Sequence, residues 1–261
     1  MKKLLVILLL LAVPTNVFAA VAFDARSNST NTNTDPQTFT HTPVGTPKAI
    51  IVYVHSRENG GGGDQVNGVT YGGVAMTEVT NSPLNSTSTA YAMSAWFLGS
   101  SIPTGAQTVS VDYSGSSQNR VSSAISLTAS ADTEIVTTNA QIAGSTLTNP
   151  SVVVALSGRT SFVSEGFFSG QNAVGSVTPP SGWTSGFETD MGVEVSGDYY
   201  YNTVASSDVT AGWTQGADAA YAIVTVISEV SAPPSGEATS TPKSFIQGGA
   251  TSIVGGAITI K

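Results

Sequence analysis

The chain has no cysteine, two histidines and few charges: 10% of its 261 residues are Asp, Glu, Lys or Arg, nine basic against seventeen acidic. Each shortage removes a class of function. Without cysteine there is no disulfide framework, thiolate metal site or thiol nucleophile, so stability has to come from a large apolar core. Nine scattered Lys and Arg cannot neutralise a row of phosphates, which excludes nucleic acid as a partner. His41 and His55 are the only imidazoles available to a Ser-His-Asp constellation, and no Gly-x-Ser-x-Gly elbow accompanies them. After the first nineteen residues no apolar run approaches 18, so a membrane-spanning helix is not expected in the mature chain.

What is present begins with an export signal. Met1-Lys2-Lys3 precedes an apolar run from Leu4 to Val13, and Val17-Phe18-Ala19 places small or compact side chains where a signal peptidase reads them. Residues 1–19 are therefore expected to be a signal peptide, and the protein to be secreted, at the cell surface, extracellular or in the periplasm. Losing Lys2 and Lys3 takes the formal charge from −8 to −10.

The rest reads as short β-runs separated by Gly, Pro, Ser and Asn clusters, with no convincing helix. Between Lys48 and His55 both side-chain parities are apolar, as in a central strand covered on both faces. Thr108 to Tyr113 instead alternates Val109, Val111 and Tyr113 with polar residues, a strand with one wet face. Gly72-Gly73 separates two β-prone runs where a two-residue hairpin needs positive φ, and Pro103 to Gly105 carries turn chemistry. These features predict an all-β, two-sheet antiparallel sandwich of jelly-roll type over residues 20–230, with an immunoglobulin-like pair of smaller domains as the alternative. Residues 231–242 form a Pro, Ser and Thr linker. Residues 243–261 form a tail in which Gly-Gly-Ala recurs seven residues apart.

The stretch VTYGGVAMTEV, followed by AWFLGSSIPTGAQTVSVDYSG, resembles a group of secreted bacterial and phage-associated β-sandwich modules found in extracellular surface proteins. The resemblance runs from Ala22 to Val230. It implies a jelly-roll-like fold and an extracellular setting, and it brings no catalytic residues with it.

Candidate sites are sparse. His55, Arg57, Glu58 and Asp64 flank the glycine run Gly60 to Gly63 and are expected on a loop rim suited to a ligand. Neither His-x-x-x-His nor an EF-hand loop is present, so no cofactor is expected. Calcium between sandwich loops stays open, with Asp64, Asp190, Asp198 or Asp218 as the carboxylates to hold it. Glu58, Glu78, Glu134, Glu165, Glu188 and Glu194 are scattered singly, without the paired acids of glycoside hydrolysis. Tyr199, Tyr200, Tyr201, Trp96, Trp183 and Trp213 could stack on a glycan, but such residues serve a core first. In the tail, Ile246, Ile253 and Ile260 recur every seven residues, and a tail this short cannot bury them alone. Self-association, or addition to a sheet edge through residues 243–261, is therefore expected. The sequence thus describes a secreted, non-enzymatic surface, adhesive or assembly module. A carbohydrate-binding module is the alternative, and a glycan hydrolase the remoter one.

Overall fold

The computed structural model describes residues 21–57, 66–80, 82–85, 91–114, 119–156, 158–171, 174–192, 195–201 and 207–230. The expected signal peptide, Glu58, Asp64 and the glycine run, the linker, and the tail isoleucines 246, 253 and 260 lie outside them.

The described residues form seventeen strands and no helix, paired throughout in antiparallel fashion. The first ten are β1 (Ala22–Asn28), β2 (Gln37–His41), β3 (Ala49–Arg57), β4 (Val66–Tyr71), β5 (Val74–Ala75), β6 (Thr77–Glu78), β7 (Leu84–Asn85), β8 (Tyr91–Leu98), β9 (Gln107–Tyr113) and β10 (Asn119–Thr128). Eight of them fall into the interleaved order of a jelly roll: β1-β10-β3-β8 in one sheet and β2-β9-β4-β5 in the other, with β6 and β7 added at the edge of β8. The expected hairpin is there. Tyr71 faces Val74 across Gly72 and Gly73, whose φ values are 56° and 81°.

The remaining strands are β11 (Thr133–Leu147), β12 (Ser151–Val154), β13 (Phe162–Ser169), β14 (Trp183–Asp190), β15 (Val195–Tyr201), β16 (Val209–Gly212) and β17 (Asp218–Glu229). They repeat the same plan. The first strand of the half pairs with the last, the last with the third and the third with the third from the end, giving β11-β17-β13-β15, and β14 occupies the edge position held by β6 and β7. The second strand pairs with the penultimate one, β12 with β16, and a single bridge between Thr178 and Thr214 stands where β4 meets β9 in the first half. The chain is an all-β antiparallel sandwich as expected, built twice over. Among the described residues there are four sheets, where the sequence predicts two.

Three apolar layers hold these sheets together. Val52, Val54 and Trp96 of the β3 sheet meet Val69, Val109 and Val111 of the β9 sheet. The opposite face of the β3 sheet, through Ile51, Tyr53, Met93 and Ile125, packs on Phe162, Ile223 and Ile227. Beyond it, Val163, Phe167, Ala222 and Val224 pack on Val154, Val209 and Ala211 of the small β12-β16 sheet. The two large sheets thus lie back to back and are covered on both sides. This is why β3 and β13 are buried along nearly their whole length, whereas β9 alternates. The two halves are joined only by residues 129–132, too short and too closely packed to show as a linker in the sequence. Glu229 Oε1 accepts hydrogen bonds there from Ser130 N (2.6 Å), Ser130 Oγ (2.7 Å) and Ala131 N (3.1 Å).

Candidate functional site

Packing two large sheets face to face puts polar side chains from strand interiors into the seam between the halves. Tyr53 reaches across it. Its hydroxyl lies 2.8 Å from Ser164 Oγ and 2.7 Å from Thr225 Oγ1, and those two oxygens are 3.0 Å apart. The Tyr53 ring rests over Gly166, where a Cβ would collide with it. Burial drives the Tyr53 hydroxyl far above its ordinary pKa, so it acts here as a neutral hydrogen-bonding group.

His55 belongs to this seam, and its expected place on a solvated rim is corrected. It is fully buried on β3, paired with Met93 on one side and Val121 on the other. The strand continues through His55 to Arg57, so the imidazole still faces the second half. Burial lowers its pKa to about 4, against the opposing influence of the Val121 and Phe167 backbones. Arg57, at the strand end, is half-buried and reaches the carbonyl of Met191 at 3.5 Å. Of the residues expected on the rim, His55 is inside the seam and Arg57 bonds to the second half, while Glu58 and Asp64 lie outside the described residues.

Two carboxylates are fully buried, which their isolated positions in the sequence do not signal. Asp198 has no solvent exposure and sits 3.6 Å from Arg26 Nη1, an ion pair across the seam. Desolvation raises its pKa to about 6, with Arg26 and then Ser123 opposing. Glu165, on the opposite face of its sheet, accepts a hydrogen bond from Gly212 N at 3.3 Å, and burial raises its pKa well above the usual value. Of the carboxylates considered for calcium, Asp198 is thus committed to Arg26. Asp190 accepts a hydrogen bond from Gly192 N and Asp218 one from Ala219 N. Among the described residues, no three His, Cys, Asp or Glu side chains are grouped to hold a metal.

His41 gives the nearest approach to nucleophile geometry. Its Nδ1 lies 3.0 Å from Ser27 Oγ, and Asp24 is close enough to act on it electrostatically. Burial nevertheless dominates and lowers the His41 pKa to about 4. The Asp24 carboxylate is directed elsewhere, accepting from Gly45 N (2.7 Å), Val44 N (3.2 Å) and Ser126 Oγ (2.7 Å). The acid therefore does not orient the imidazole as it does in a hydrolytic triad. Trp96, Trp183 and Trp213 are buried, as is Tyr199, while Tyr200 and Tyr201 are half-buried.

One open groove exists beside the seam, with a volume of about 550 Å³. It is formed by residues 77–80 at the β6 edge, 97–100 at the end of β8, 132–135 at the start of β11, and Val230. Glycine shapes it: a Cβ at Gly99 would collide with the Thr133 carbonyl and the Phe97 ring. The groove carries Glu78, Asp132 and Glu134. Glu78 Oε1 accepts from Ser82 Oγ at 2.9 Å. Asp132 is 3.5 Å from Lys48 Nζ and Glu134 is 2.8 Å from Arg159 Nη2, which also donates to the Glu229 carbonyl. Strand pairing sets residues 77–80 beside 97–100, but 132–135 joins them only where the second half begins, which no local sequence signal marks. In comparisons with known proteins the chain matches no family model, no curated protein and no solved structure.

Proposed function

We propose that the protein is a secreted, non-catalytic surface module that acts by adhesion or assembly. The observation that carries this reading is where its acid-base groups lie. His41, His55, Glu165 and Asp198, the groups whose ionisation is most displaced in the directions catalysis exploits, are all enclosed by the stacked sheets. A substrate cannot reach them without separating layers of core. Their partners are other strands, so their role is to fix how the sheets meet. At the groove, Lys48 is paired with Asp132 of the joint, and Arg159 with Glu134 ties two segments of the second half together.

The export signal in residues 1–19 and the repeated tail at 243–261 support the setting and the means of attachment. Exported full-length protein is expected to begin at Ala20 by mass spectrometry. It is also expected to be retained at the producing surface or to elute as an oligomer, while a version ending at Val230 is released as a monomer. Equal retention and equal elution of the two versions would refute attachment through the tail.

A further inference from the structure

We infer that the groove beside the seam is a binding site for a neutral saccharide. This goes beyond the surface-module reading, since such a module could attach through its tail alone. The size is suitable: about 550 Å³ lies within the range of small-molecule sites, roughly 300–1,000 Å³. The chemistry narrows the class. Phe97, half-buried and packed at its back on the core, lines the groove, and the electron-rich face of such a ring attracts the polarised C–H groups on one side of a pyranose. Asp132 and Glu134 supply acceptors for sugar hydroxyls. An ionised carboxylate offers about four lone-pair sites, more than one ion pair occupies.

Charge decides against the rival ligands. Among the described residues no cation lines the groove, and the two beside it, Lys48 and Arg159, are engaged by Asp132 and Glu134. A phosphate, sulfate or uronate would meet only carboxylates. A cationic peptide would meet a weak field, because two of the three carboxylates are already countered. A ligand with many hydroxyls, an apolar face and no charge uses both the ring and the acceptors without paying for an unmatched ion.

The test is isothermal titration of the full chain with neutral gluco-, galacto-, manno- and N-acetylglucosamine oligosaccharides, after a glycan array has ranked them. At least one series should bind, with an affinity that changes less than twofold between low and high salt. F97L keeps apolar bulk but removes the ring face, and D132N keeps the shape but weakens the acceptor; each should weaken binding at least tenfold while the protein stays fully folded at the assay temperature, as circular dichroism reads it. Phe23, an exposed ring stacked on Tyr200 at 4.5 Å elsewhere on the surface, supplies the control. F23L should bind as the parent does. Should F97L not fold, D132N and Asp132→Ala carry the test. No binding by any series, binding indifferent to position 132, or salt-sensitive binding of tetralysine in place of the sugars would overturn the assignment. None of these results depends on whether the tail mediates assembly.

Discussion

The hydroxyl of Tyr53, from the first jelly roll, lies 2.7 Å from Thr225 Oγ1 of the second, in a position closed to water. Tyr53→Phe removes the only oxygen that crosses the seam at this point, leaving Ser164 and Thr225 to bond with each other. The expected cost is about 1–2 kcal/mol, readable as a lower urea midpoint with an unchanged slope. An unchanged midpoint would mean that the hydroxyl cluster contributes nothing net.

Gly166→Ala should cost more than its size suggests, because the added methyl collides with the Tyr53 ring between two well-packed sheets. Overpacking of this kind costs about 1–3 kcal/mol. Y53F should not relieve it, since the ring and not the hydroxyl is struck. Thermal unfolding of the single and double variants checks both statements.

Acid stability is set by opposing groups. His41 and His55 have folded pKa values lowered from 6.5 to about 4, so the unfolded chain takes up protons first as pH falls. Their contribution is complete above 6.5 and is lost between 6.5 and 4, at about 3 kcal/mol per ring. Asp198 acts in the other direction. Its folded pKa is raised from 3.8 to about 6, so its neutral form favours the fold on acidification through that window, and Glu165, also raised, adds to it. H55Q should therefore flatten the decline in stability from pH 6.5 to 4, and D198N should steepen it. Denaturation midpoints across this range, unchanged in both variants, would show that neither group carries the linkage.

Trp213→Ala should be among the most damaging single changes. The indole is buried against Phe167 at a ring distance of 5.2 Å and donates to Gln215 Oε1 at 2.6 Å. Deleting a buried aromatic of this size costs about 3–5 kcal/mol. W213F, which keeps most of the packing and loses the donor, should fall between it and the parent in chemical denaturation.

Much of the first half was readable from local patterns. The alternation of Thr108 to Tyr113 gave β9 its wet face, the unbroken run from Lys48 gave β3 its central place, and Gly72-Gly73 gave the hairpin. The doubling was not readable, because β3 and β13 occupy equivalent positions with unlike side chains: AIIVYVHSR against FVSEGFFS. Periodicity reports how much of a strand is covered but not by what, so His55 at a strand end reads as a loop residue. The groove was invisible for a simpler reason. Phe97 and Glu134 belong to different halves, and only the stacking makes them neighbours.

The repeated strand order makes this chain a dimer whose two subunits share one backbone. Such a joint needs no threshold concentration, since residues 129–132 make the meeting of the halves intramolecular. It also frees the joint from the self-complementarity that two-fold symmetry imposes on separate identical subunits. Arg26 stands on one side and Asp198 on the other, and neither has to meet its own copy. Mutations on the two facing surfaces can therefore be selected as a lock and its key. Halves that differ in this way do not pair with copies of themselves, which removes a route by which neighbouring molecules could exchange partners.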